Sequence, residues 1–250
     1  MATDNPPTGS DRSATRGASV RIALVDSGVN AHHTHVQHVA GGIHFFLDDQ
    51  KHLRTTLEYT DEIGHGTALA GLIRAKAPKT DLYAVKIFQD HLATSYPVLE
   101  AALNWSIHAE MKIVNLSLGL VNPAHKESLT RIVSEAERKG IIIVAGSPPE
   151  RTDVLPACLP GVVSVSAAPE CGWNQHFMAT ENSIAFRAHP HPRSLPGPAQ
   201  AQNFYGHSFA AGHITGKLAL RVLSDPSLTP ASAVKYLRQT SSPSKTFITS

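Results

Sequence analysis

The apolar positions of the chain fall into short, nearly continuous runs that alternate with longer segments of helical spacing. Residues 20–25 (VRIALV) are rich in branched side chains and end on Asp26-Ser27-Gly28, the pattern of a strand buried on both faces. Residues 41–46, 81–88, 112–118 (KIVNLSL), 141–145 and 162–167 repeat that pattern. Between them lie helical segments. Gly64-His65-Gly66-Thr67 opens a small-residue helix over 68–77, an amphipathic helix spans 96–110, and another spans 127–139 with Gly140 as its stop. A further apolar helix follows Ser208 and runs to about Leu223. A last one spans 230–239, with Thr229 as N-cap and Pro230 at its first position. Residues 47–62 read as a charged loop and 187–202, rich in Pro, His and Gln, as another loop. Strands alternating with helices predict an α/β domain with a mostly parallel sheet and helices on both faces.

Composition narrows the function. The 250 residues are 42% apolar and 17% charged, enough for one globular domain over 19–250, with a polar, disordered lead-in over 1–18. A net charge of +2 without any Lys/Arg run excludes a nucleic-acid footprint. No apolar run is long enough to span a membrane, and the leading residues lack the apolar core of a signal peptide, so a cytoplasmic location is expected. Cys158 and Cys171 have neither metal-ligand nor disulfide-framework spacing. His32, His33, His35 and His38 crowd one stretch but show no ligand pattern with a fourth partner, so that stretch is expected to be a polar surface loop and not a metal site. Oligomeric state has no signature in the sequence.

Three junctions carry candidate chemistry. Asp26 ends the first strand, at the sheet edge where open α/β folds build their sites. His65 lies between two glycines at a helix start. Ser208 follows a Gly-containing turn and opens an apolar helix, which exposes its hydroxyl and leaves its N–H among the unpaired donors of the helix end. Alone, Ser208 reads as an ordinary N-cap. In the order Asp, His, Ser the three match the subtilisin arrangement and neither that of chymotrypsin nor that of the α/β-hydrolases.

VDSGV around Asp26, GHGT around His65 and GHSFAAGH around Ser208 resemble the signature blocks of the subtilisin-like serine proteases. NLSLG (115–119) and VLPACLPGVVSVSA (154–167) are similar to two further blocks, and the resemblance extends over roughly residues 19–240. It implies a three-layer subtilisin-like fold and a serine endopeptidase acting on peptides or proteins, with Ser208 as nucleophile, His65 as base and Asp26 as its orienting carboxylate. It also implies that Leu116, Ser117, Leu118, Gly119, Ala145 and Gly146 border the substrate, with Gly119 leaving the mouth of the main pocket open. Trimming of a precursor or leader peptide is a more specialised expectation. Where the family supplies an asparagine to the oxyanion site, this chain has Ser147, beside the Ser208 N–H. His207, Phe209 and Gly212 replace the usual residues around the nucleophile. His207 is expected to set a titratable ring beside Ser208, and Gly212 to loosen the first helical turn. His35 stands where many members have a calcium-binding aspartate, so no calcium site or other cofactor is carried over. These departures keep two alternatives open: a protease-like peptide-binding protein of little activity, and a peptide ligase or macrocyclase.

Overall fold

The computed structural model describes residues 19–179 and 185–243; the expected lead-in over 1–18 lies outside them. Its centre is a nine-stranded sheet in the order β3-β2-β4-β1-β5-β6-β7-β9-β8. The strands are β1 (Val20–Asp26), β2 (Gly41–Leu47), β3 (Leu53–Thr56), β4 (Thr80–Lys86), β5 (Ile113–Leu116), β6 (Ile142–Gly146), β7 (Val162–Ala167), β8 (His176–Met178) and β9 (Phe186–Ala188). All neighbours are parallel except the two outermost pairs, β2 with β3 and β8 with β9.

The continuous apolar runs follow from burial on both faces. In β1, Val20, Ile22 and Leu24 join one core while Ala23 and Val25 join the other. In β6, Ile142 and Val144 face the first and Ile143 and Ala145 the second. Helices α1 (His65–Lys76), α4 (His207–Ser224) and α5 (Pro230–Gln239) cover the first face, and α2 (Tyr96–His108) and α3 (Lys126–Arg138) the second. This is the three-layer α/β architecture that the alternation predicts.

The sequence reading misses the sheet margins. The segment read as a charged loop over 47–62 contains β3, whose four residues are all exposed, so no alternation marks them. The segment read as loop over 187–202 begins within β9 and holds a 3-10 turn at Gly197–Gln202. Both β8 and β9 are only three residues long, too short for a period to register.

Helix α4 lies closest to α1, and two glycines set that approach. A Cβ on Gly212 would lie 2.7 Å from Leu69 Cδ2, and one on Gly216 would lie 2.7 Å from Lys76 Cβ. Gly212 therefore makes room for α1, a packing role beyond the effect expected on the helical turn. Behind the pair, the buried Thr215 hydroxyl donates to Asn115 Oδ1 at 2.8 Å and ties α4 to β5.

Candidate active site

Asp26 is the last residue of β1 and has no exposed surface. Its Oδ1 accepts the Ser27 N–H at 2.7 Å and the Ser27 hydroxyl at 3.0 Å. His65, the first residue of α1, places Nδ1 2.9 Å from each Asp26 carboxylate oxygen. An acceptor pair at that position holds the Nδ1–H tautomer and leaves the Nε2 lone pair unshared. Burial opposes charge on the ring, but attraction and hydrogen bonding from Asp26, with a smaller contribution from Asp61, outweigh it and raise the His65 pKa above its ordinary 6.5.

The start of α1 is fixed by a residue the sequence reading passed over. Asp61 Oδ1 accepts the Ile63 and Gly64 N–H groups at 3.0 and 2.9 Å, and Oδ2 accepts the Thr67 N–H at 2.8 Å and the Thr67 hydroxyl at 2.6 Å. An aspartate just before a Gly-His-Gly-Thr helix start was an available signal, since acidic oxygens satisfy the orphan donors of a first turn. Ser27 was also missed. Its hydroxyl accepts the Gly66 N–H at 2.9 Å, so one serine links the end of β1 to the beginning of α1.

Ser208 is the second residue of α4. Its hydroxyl donates to the Ser117 carbonyl at 3.4 Å, which sets it beside the chain that continues from β5. The fully buried Phe209 ring lies 4.9 Å from the His65 ring, and the Phe204 ring meets His65 edge-on at 5.9 Å. The site thus brings Asp26 and His65 into direct contact, with Phe209, next to Ser208, against the imidazole. Nothing in the periodicity pointed to Phe204.

The turn that presents Ser208 rests on β6. A Cβ on Gly146 would come within 2.7 Å of the His207 carbonyl carbon and oxygen and 3.0 Å of the Ser208 nitrogen. Glycine alone permits that approach. His207 is not a free ring beside Ser208: its Nδ1 accepts the Ala167 N–H at 3.0 Å, fixing the turn to the end of β7. Burial pushes its pKa down, against a smaller upward pull from Glu150, so the ring stays a neutral acceptor.

The remaining site candidates separate into two groups. Leu116 and Ala145 are fully buried in the core under α2 and α3, so their side chains do not face the site. Ser117 and Leu118 are half-buried and Gly119 is exposed. Val154 packs close to Gly119, where a Cβ would lie 2.1 Å from Val154 Cγ1. Ser147 is almost wholly buried, its N–H donates to the Val165 carbonyl at 2.9 Å, and its hydroxyl donates to the Pro148 carbonyl at 3.4 Å. The side chain in the asparagine's place is thus engaged with its own turn.

His35 does not fit a calcium site. Its Nε2 accepts from Arg193 Nη1 at 3.0 Å, which sets a fixed positive charge where a cation would have to approach. Among the described residues no group of three or more His, Cys, Asp or Glu side chains could hold a metal ion, and no helix is long and apolar enough to cross a membrane.

Comparison with known proteins agrees with this fold. The sequence model described as the Subtilase family matches residues 17–248. Subtilisin of Bacillus pumilus is 28% identical over 241 residues, covering 90% of this chain and 84% of that protein. An intracellular serine protease of Paenibacillus polymyxa is 29% identical over 225 residues, covering 82% and 67%. Among solved structures, a cold-adapted subtilisin-like serine proteinase superposes with a TM-score of 0.67 at 19% identity, over 89% of this chain and 82% of that one. A lanthipeptide protease superposes with a TM-score of 0.68 at 19% identity, over 88% and 79%.

Proposed function

Because the chain belongs to the subtilase family and is a serine protease, hydrolysing peptide bonds in peptide or protein substrates, we propose that Asp26, His65 and Ser208 form its catalytic triad. The observation that carries this reading is the buried Asp26–His65 pair, with Nδ1 2.9 Å from both carboxylate oxygens, beside the turn that presents Ser208.

The chemistry follows from the tautomer. Nε2 of His65 takes the Ser208 hydroxyl proton as Oγ forms a bond to the scissile carbonyl carbon, and the carbonyl π electrons move onto oxygen. The imidazolium this creates is stabilised by Asp26, whose attraction already favours the charged ring. The oxyanion meets the Ser208 N–H at the start of α4, where no intrahelical acceptor competes for it. As the tetrahedral species collapses, the C–N bond breaks and the leaving nitrogen takes the proton from His65. Water, deprotonated by the same nitrogen, then cleaves the acyl-enzyme and restores Ser208. With the Ser147 hydroxyl turned to Pro148, the oxyanion site has one backbone donor where the family adds a side-chain donor, which favours slow turnover.

A fluorophosphonate probe tests the assignment: it should label the wild-type chain and neither Ser208→Ala nor His65→Ala. Equal labelling of Ser208→Ala would overturn it.

The proposed range of substrates is narrow, namely a precursor or leader peptide trimmed at one site. Its support is Val154 seated over Gly119, which restricts the side chain admitted there. Free Cys158 and Cys171 fit action in the reducing cytoplasm. Mass spectrometry of a digested peptide library should show hydrolysis products from a small set of sites; cleavage of most sequences would exclude the narrow range, and joined products would point to ligation.

A further inference from the structure

A cavity of about 480 Å³ has Phe204 in its lining, and no residue of 116–119 or 145–147 lines it. Phe204 forms the wall it shares with the site, since the same ring meets His65 edge-on. The floor is the outer side of α1, at Ala68, Leu72 and Ala75, and the far wall is Trp173. Trp173 is held in place: its carbonyl accepts Lys76 Nζ at 2.8 Å, and that ammonium lies 4.9 Å from the centre of its ring.

The lining carries one charged side chain of each sign, Asp61 and Arg193. Asp61 lines the cavity, but both its oxygens are engaged by the first turn of α1. Arg193 is exposed at the rim, and its guanidinium Nη1 donates to His35 Nε2 at 3.0 Å. No carboxylate among the described residues forms an ion pair with Arg193. The cavity therefore combines an apolar floor with a cation at its lip.

Resting on the triad reading above, we infer that this cavity binds the leaving-group half of the substrate, taking a large apolar side chain followed by a carboxylate that pairs with Arg193. The reasoning is geometric. His65 must protonate the departing nitrogen, so the chain beyond the scissile bond has to pass the imidazole. The segment over 117–119, whose Ser117 carbonyl accepts the Ser208 hydroxyl, borders the acyl half, and the leaving half then crosses Phe204, beyond which the cavity begins. Burying a Leu-sized side chain there strengthens binding by roughly tenfold or more, and an exposed carboxylate–guanidinium pair adds about two- to fivefold. The carboxylate can be an acidic side chain or the free end of a peptide, and both fit the same lip.

Internally quenched peptides sharing one acyl half and ending in Leu-Glu-Gly, Leu with a free carboxyl terminus, Leu-Lys-Gly or Gly-Gly-Gly give the test. Expected kcat/KM is highest for one or both of the first two, intermediate for Leu-Lys-Gly and lowest for Gly-Gly-Gly. Which of the first two leads identifies the source of the carboxylate. Arg193→Glu should invert the order of the Glu and Lys substrates. Ala75→Trp, at an exposed position that tolerates bulk, should fill the floor and reduce the advantage of Leu over Gly. Fluorescence anisotropy of the labelled leaving halves on Ser208→Ala provides a reading without turnover. If no peptide is cleaved but anisotropy shows the same order and the same Arg193→Glu inversion, the triad reading fails and the cavity stands. Cleavage, or binding, indifferent to the leaving half overturns the cavity assignment.

Discussion

Replacing Gly146 by alanine probes how the nucleophile is held. Its added Cβ would start 2.7 Å from the His207 carbonyl carbon and oxygen and 3.0 Å from the Ser208 nitrogen, all backbone atoms with no side-chain rotamer to yield. Restoring ordinary contact near 3.4 Å requires the turn or the end of β6 to move by roughly 0.7 Å. A displacement of about 1 Å at a reacting group reduces rate by about 100-fold, so kcat should fall by roughly 10- to 100-fold. Overpacking of this kind also destabilises by about 1–3 kcal/mol. The measurement is steady-state kinetics on one cleaved peptide together with urea denaturation, with Gly41→Ala as the control. A Cβ at Gly41 would meet only the Tyr83 ring at 3.4–3.5 Å, an ordinary contact. The expected signature is a lower kcat with KM little changed, in the Gly146 variant only. Full kcat in a Gly146→Ala protein would refute the reasoning, because the nucleophile turn would then not rest on β6.

Four other outcomes follow from the same structure. The raised His65 pKa means that kcat/KM should climb as pH rises through a value above 6.5, and Asp26→Asn, which removes the two largest upward causes while burial remains, should shift that limb to lower pH and cut kcat by about 10⁴. The linked stability runs the other way: the contribution of the His65 ring is complete below its unfolded value and is lost as pH rises through the folded one, which denaturation of wild type and His65→Ala across pH would reveal. Ser147→Asn should raise kcat by on the order of 10² with KM unchanged, by adding the side-chain donor worth that much in subtilisin; an unchanged kcat would place the oxyanion elsewhere. Gly216→Ala sets a Cβ 2.7 Å from Lys76 Cβ and should lower stability by about 1–3 kcal/mol in urea titration, whereas a neutral effect would show α1 and α4 free to separate.

What the sequence made legible depended on how local each signal is. The central strands were readable because burial on both faces makes them apolar throughout, and Asp26, His65 and Ser208 because glycines mark the junctions that carry them. The exposed β3 and the three-residue β8 and β9 owe their pairing to neighbours distant in the chain, so their own composition said little. Residue numbers alone could not reveal that His207 bonds to Ala167, forty positions away, or that Val154 fills the space over Gly119. Those facts arise from two segments meeting, so no reading of one segment alone contains them. Asp61 is different: its spacing to the helix start was visible and was absorbed into a charged loop.

The bare contact between α1 and α4 has a consequence for precision. His65 and Ser208 begin the two helices that Gly212 and Gly216 bring together. At Gly212 and Gly216 the α4 side of the contact has no χ angle, so on that side the distance between the helices cannot drift by a rotamer change. Thermal motion of the pair is therefore weighted toward movement as one body, which carries both groups along without altering the gap between them. An oxyanion site resting on one backbone donor, as proposed for Ser208, gains from such a mount, because the remaining interactions hold their geometry while the surrounding loops accommodate the substrate.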